Sequence, residues 1–270
     1  MDWHKTDSNS LFKICFRKDL FTKGILLSII LIHPFISEGQ MTQKDKRLFI
    51  EHCDQAIFTV PDMEYYSCVG LCAFDAVFSI QTRYESVVNP LVDRFCALMD
   101  IPRHAPNPHA LPSIQEQVTV SVLCDKLRDY TPQSLANALH NHQRTSSRGG
   151  ILKTEAFLQY LDVFQQFEVN TYQDINRLAD EEPALEQALR SIKGQNVAVD
   201  YFFMLSGDED GVKVDTHLRN FVRDAVGHDL TPEQIKDLFR EAVDHYRQNG
   251  YPDMTARHLD HIVWTWQKSR

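Results

Sequence analysis

The chain has 270 residues, 43% of them apolar and 24% charged, so it can bury a sizeable core in one large domain or two interleaved lobes and is not of disordered composition. Its 37 acidic and 28 basic residues leave a formal charge of −9 and a pI near 5.7. That balance excludes a broadly basic nucleic-acid-binding surface; any such contact must gather the few cations on one face.

Residues 1–40 stand apart. Lys13, Arg17, Lys18 and Lys23 precede an apolar run, 24–32, in the order of the basic and apolar regions of a signal peptide. The run is about nine residues, too short to cross a bilayer. Pro34 follows it, no small-x-small cleavage site is evident, and Met41 opens the polar stretch M-T-Q-K-D-K-R. The expectation is that 1–40 is a dispensable tail or a mis-assigned start, and that the protein is cytoplasmic with no membrane association.

From 42 onward the pattern is helical. A helix over 44–58 carries Leu48, Phe49, Cys53 and Ile57 on one face and stops at Val60-Pro61. A densely apolar, buried helix follows over 71–80, then Gln81-Thr82-Arg83-Tyr84 and an amphipathic helix over 85–99. The Pro- and His-rich stretch 101–112 reads as a surface loop, because His104, His109 and His140 form no i, i+4 pair for a metal. Short helices are expected over 117–127 and 132–139. The loop 141–150, N-H-Q-R-T-S-S-R-G-G, is the most basic and polar in the chain and leads into a helix over 151–167. Helices over 172–179 and 183–191 come next, and the last two span 232–247, which Thr231-Pro232 starts, and 255–267. The six cysteines show no zinc-finger spacing and suit small buried hydrophobes in a reducing compartment.

The most informative stretch is 192–221, I-K-G-Q-N-V-A-V-D-Y-F-F-M-L-S-G-D-E-D-G-V-K-V-D-T-H-L-R-N-F. Gly194 and Asn196 favour a tight turn. The run 197–205 makes about two helical turns, expected to bury Val197, Tyr201, Phe202 and Leu205. The acidic, Gly-containing loop 206–211 breaks that helix. Asp215 sits at or near the start of another, where a carboxylate caps orphan N–H groups, and Gly227 is placed to end it.

Hairpin and aspartate segment together resemble the signature of the HhH-GPD family of DNA glycosylases, the endonuclease III-like enzymes, whose hairpin L-P-G-V-G-x-K-T-A is followed by V-D-T-H-x-x-R. The match is remote: 192–196 occupies the hairpin, and Val214-Asp215-Thr216-His217, with Arg219 or Arg223 nearby, occupies the aspartate segment. A second point of similarity is V-F-S-I-Q, whose Ser79 and Gln81 match the family's L-S-x-Q. The resemblance implies an all-α, two-lobed fold over 41–270 with a hairpin at 189–205 and a cleft between lobes. It puts the catalytic carboxylate on Asp215, backbone contact to a phosphate on Gly194, Gln195, Asn196 and Val197, and a duplex-filling role on Gln81. Arg144 and Arg148 would add phosphate contacts, and Tyr84 or Tyr201 would stack on a base.

Two departures matter. The second hairpin glycine is Asn196, and Ala198 stands where bifunctional members carry a Schiff-base lysine. The expected protein is thus a monomeric, monofunctional glycosylase acting on double-stranded DNA in base-excision repair. No cysteine follows position 124, so no iron–sulfur cluster is expected; hairpin carbonyls leave room for a monovalent cation. The alternative is a non-catalytic DNA- or protein-binding module with the same fold, which the acidic composition and the altered hairpin favour.

Overall fold

Threonine side chains start much of the fold. In a computed structural model, which describes residues 41–56, 60–61, 63–181 and 183–269, α1 (Gln43–Cys53) opens with Thr42 and Asp45 each capping the other's N–H. The side chains of Thr119, Thr131, Thr231 and Thr255 likewise accept from the third N–H of α4 (Val120–Leu127), α5 (Pro132–Ala138), α11 (Pro232–Gln248) and α12 (Ala256–Lys268), with the reciprocal bond present at Thr131 and Thr231. Between them lie α2 (Val69–Ser79), α3 (Asn89–Met99), α6 (Lys153–Gln166), α7 (Tyr172–Glu181), α8 (Pro183–Ser191), α9 (Asn196–Leu205) and α10 (Thr216–Val226). The fold is all-α: the described residues hold twelve α-helices and no strand beyond two isolated bridges. Among them no helix is long and apolar enough to cross a membrane. The expectations for 1–40 lie outside the described residues.

Where boundaries differ from the sequence pattern, the cause is local. The helix expected over 85–99 begins as a π-helical turn, Tyr84–Val88, and becomes α-helical only at Asn89. Pro90 has no N–H and its ring would clash with the carbonyl four residues back, so the ladder widens ahead of it. The helix expected from 117 starts at Val120, because Gln117 ties a loop instead. Its amide accepts from Tyr172 N at 2.9 Å and donates to Ser113 O at 3.1 Å.

The hydrophobic core divides into two clusters. The first runs from Tyr65 to Phe202 and is centred on α2, whose residues Val69–Phe78 are all buried; Phe74 stacks on Phe95 at 4.2 Å and meets Phe157 edge-on. The second joins Phe49 and Cys53 of α1 to α10, α11 and α12, with Phe49 at 5.1 Å from Phe239. Truncating a fully buried Phe such as these typically costs about 3–5 kcal/mol. The cysteines of α1, α2 and α3 are buried among these side chains, and burial pushes the thiols of Cys68 and Cys72 up to about 12.

Candidate active site

A cleft of about 880 Å³ opens where the two clusters meet. The first cluster's side supplies residues 79–86, Val197 and Tyr201; the second supplies 213–217, Arg219, Asp260, His261, Trp264 and Lys268. Asp215, Gln81, Tyr84 and Tyr201, expected to act on one nucleotide from three separated segments, all line this one cavity, and Val197, expected at the hairpin contact, lines it too. Its lining carries Arg83, Lys213, Arg219 and Lys268 against Glu85, Asp215 and Asp260, a small cationic excess in a chain of charge −9.

Asp215 is the N-cap of α10: its Oδ1 accepts from His217 N at 2.8 Å and Leu218 N at 3.1 Å. Gly227 ends that helix in a left-handed conformation, φ 84°. The carboxylate is therefore held at the positive end of a helix dipole while it faces the cleft. Just below, Asp260 is 6% exposed and its Oδ1 accepts from Lys213 N at 2.9 Å. Burial, and after it the charge of Asp215, holds the Asp260 carboxyl well above the usual carboxylate range.

Gln81 sits on the cleft rim, exposed, at φ 54°. A non-glycine residue rarely adopts that conformation, and the fold enforces it here. Lys153, 2% exposed, reaches under the loop and donates to Phe78 O at 2.9 Å, Ile80 O at 2.6 Å and Thr82 Oγ1 at 2.7 Å. It thus satisfies the orphan carbonyls at the end of α2 and fixes the loop. Burial pushes the Lys153 amine down to about 8.

The fully buried carboxylate of Asp75, inside α2, accepts from Tyr66 Oη at 2.8 Å, Tyr84 Oη at 3.0 Å and Ser79 Oγ at 2.7 Å. Tyr84 is thereby pinned by its hydroxyl, and its ring meets Trp264 edge-on at 6.2 Å. Tyr201 is not the buried core residue that the apolar run suggested. It and Val197 are half-buried and line the cleft, while Ala198, Val199, Phe202 and Met204 turn inward. One face of the Tyr201 ring is taken by Lys213, whose Nζ stands 3.6 Å from the ring centroid.

A family model described as a domain of unknown function, DUF8548, matches residues 47–268. The chain belongs to this family. No curated protein and no solved structure matches it. The DUF8548 segment includes both hydrophobic clusters and every residue of the cleft.

The second candidate surface of the DUF8548 domain is the turn 192–195 between α8 and α9. Gly194, exposed at φ 79°, lies so close to the loop 141–150 that a Cβ would come within 2.9 Å of Thr145. Lys193 Nζ lies 4.0 Å from where a Cβ at Gly149 of that loop would sit. Turn and basic loop are therefore one surface, with Asn196, Arg144 and Arg148 exposed on it. Gln195, the N-cap of α9, gives no side-chain cap, so the first-turn N–H groups of α9 have no side-chain acceptor at their cap position. The Gln195 side chain is 1% exposed, so the contact expected of it is closed off, and its N–H is already donated to Ile192 O. Arg144 spends one donor within its own loop, on Gly150 O at 2.8 Å.

Sequence reasoning missed Lys213, Asp260, Trp264, Asp75 and Lys153. The alternation V-K-V-D carries a signal for the first: Val212 and Val214 are buried, so Lys213 faces the other way, into the cleft. Trp264 lies off the stripe Leu259, Ile262 and Val263 that α12 buries, and an aromatic off the buried face marks a wall of something else.

Proposed function

We propose that this protein is a monofunctional DNA glycosylase of base-excision repair, cytoplasmic and monomeric, hydrolysing the N-glycosidic bond of a damaged or mispaired base in duplex DNA. The observation that carries it is the cleft: a capped carboxylate, a strained glutamine and aromatic walls, from separated segments, face one cavity whose lining has a small cationic excess. Such a cavity suits a nucleotide taken out of the stack, because unpaired bases need aromatic and apolar contact and their phosphates need cations.

In the proposed reaction the bond between C1′ and the base nitrogen breaks, its electron pair leaving with the base. Asp215 stabilises the cationic sugar that develops and accepts a proton from the water that adds to C1′. Asp260, with its raised carboxyl pKa, is placed to keep a proton near the same site. Gln81 would occupy the space vacated in the duplex, and Tyr84 and Trp264 would flank the base. The joined turn and loop would hold phosphates through backbone N–H groups at Gly194, Asn196 and Val197 and through Arg144 and Arg148. With Ala198 carrying no amine, the product is an intact abasic strand.

The second reading, a binding module without catalysis, is favoured by one observation: Asp215 already has a complete structural job as a helix cap. Incubating the protein with a panel of duplexes, each bearing one damaged or mispaired base, separates the two. Release of free base from one member supports the enzyme; binding without release from any supports the module.

A further inference from the structure

Away from the cleft, a second cavity of about 480 Å³ is lined by Tyr65, His109, Tyr251, Thr255, Arg257 and His258 among others. Arg257 is the unusual member. It is 3% exposed, and its Nε and Nη2 are shut off from water with no acceptor. Its guanidinium carbon stands 5.0 Å from the centroid of the Tyr65 ring, and no carboxylate of the described residues pairs with it. Among the described residues, the two acidic ones lining the cavity, Glu209 and Asp253, are exposed, and Glu209 accepts from the Arg257 N–H through its backbone carbonyl.

A guanidinium cannot shed its charge, so burial without a partner is strongly unfavourable, and buried charges in folded proteins are paired. Arg257 also lies in the first turn of α12, which holds no acidic residue, so the helix dipole adds positive potential there. After burial, the charge of Arg257 is the next cause that lowers the His261 pKa. Among the described residues, none supplies the missing negative charge.

We infer that this cavity binds a small organic anion, whose carboxylate or phosphate group neutralises Arg257 and whose body lies against Tyr65 and Tyr251. The volume is several times that of an inorganic ion, and the aromatic residues give it walls for a planar group. Guanidinium is suited to both oxyanions, and with Nε and Nη2 shut off it is Nη1 that would meet the ligand first. The site joins the two hydrophobic clusters, since Tyr65 belongs to the first and α12 to the second. Occupancy would therefore brace α12, which carries Asp260 one turn further on. This inference is independent of the glycosylase proposal.

The test is a thermal-melting titration of the full chain, at fixed ionic strength, with adenosine monophosphate, inorganic phosphate and benzoate. Wild type should gain several degrees, saturably, with adenosine monophosphate or benzoate. A response to the first and to phosphate but not to benzoate assigns a phosphate site; a response to benzoate alone assigns a carboxylate site. Arg257→Met and Arg257→Gln should melt no lower than ligand-free wild type, because each removes an uncompensated charge, and should bind the effective probe at least tenfold more weakly. No response of wild type to any probe overturns the inference, as does a response that survives in whichever of the two variants folds.

Discussion

The ammonium of Lys213 stands 3.6 Å from the centroid of the Tyr201 ring, joining the two halves of the cleft wall. A contact of this kind is worth about 0.5–2 kcal/mol, more as it is desolvated. Burial lowers the Lys213 pKa, against the opposing pull of Asp215, Asp75 and Asp260. The contact closes one face of Tyr201 to a base, as Lys268, 4.6 Å from the ring centroid, closes one face of Trp264; Tyr84 is the third aromatic residue of the lining.

Lys213 is also the amine closest in sequence to Asp215, so it bears on the monofunctional assignment. Wild type should release free base without cutting the strand, and borohydride should trap no protein–DNA adduct. A trapped adduct that disappears in Lys213→Ala would make Lys213 a nucleophile and end that assignment. Lys213→Ala should in any case lower stability by on the order of 1 kcal/mol, read from urea melts.

Lys153 holds the Gln81 loop through three donors, so Lys153→Met should take the ammonium donor from Phe78 O and leave Ile80 O with Thr82 Oγ1 alone, at 3.0 Å. The expected loss is on the order of 2 kcal/mol, with faster hydrogen exchange at 80–83 than elsewhere. Exchange in that loop unchanged from wild type would mean that Gln81 is held by something else. DNA binding should weaken along with the loop, and Gln81→Ala should reproduce that part of the effect without the loss of stability.

Asp260 gives a pH-dependent prediction. Its carboxyl pKa is raised in the fold above the ordinary value of 3.8, so the folded state holds its proton more tightly than the unfolded chain does. Its contribution to stability is full below about pH 3.8 and is lost as pH rises through the folded value. Asp260→Asn keeps an acceptor for Lys213 N and removes that loss. The variant should gain on wild type from pH 4 to pH 8, by about 1.4 kcal/mol for each tenfold difference in proton affinity. A stability difference that does not change with pH would contradict the assignment.

The edge formed by the turn 192–195 and the loop 141–150 should behave as a phosphate site. Replacing Arg144 and Arg148 together with Ala should weaken binding to all duplex sequences alike and reduce the salt slope by about 2. Gly194→Ala should be disruptive for a different reason, since a Cβ at φ 79° meets Thr145 at 2.9 Å. If the double arginine variant keeps wild-type affinity and salt slope, the loop has no part in binding.

Helices were legible in this sequence because their signals are local. Thr231-Pro232, Asp215 and Gly227 each act within one turn, and their caps lie where the pattern put them. The cleft-lining residues were legible only as separate pieces: nothing local brings Gln81 beside Asp215, which is a matter of how the two clusters pack. Asp75 and Lys153 were invisible for the opposite reason. A carboxylate inside an apolar helix and a lysine at the start of another look misplaced until Tyr66, Tyr84 and the end of α2 supply their partners. Gln195 shows the limit of reasoning by position, since the turn that exposes Gly194 turns its neighbour's side chain inward.

The most direct test of the central claim is single-turnover base release by wild type and Asp215→Asn on the duplex that wild type processes fastest. The amide keeps an acceptor for His217 N and Leu218 N but loses the charge that stabilises the cationic sugar. The account predicts a fall in rate of at least a hundredfold, with melting temperature and duplex affinity close to wild type. Excision at the wild-type rate, or two inert proteins that differ sharply in stability, would show that Asp215 is a helix cap alone.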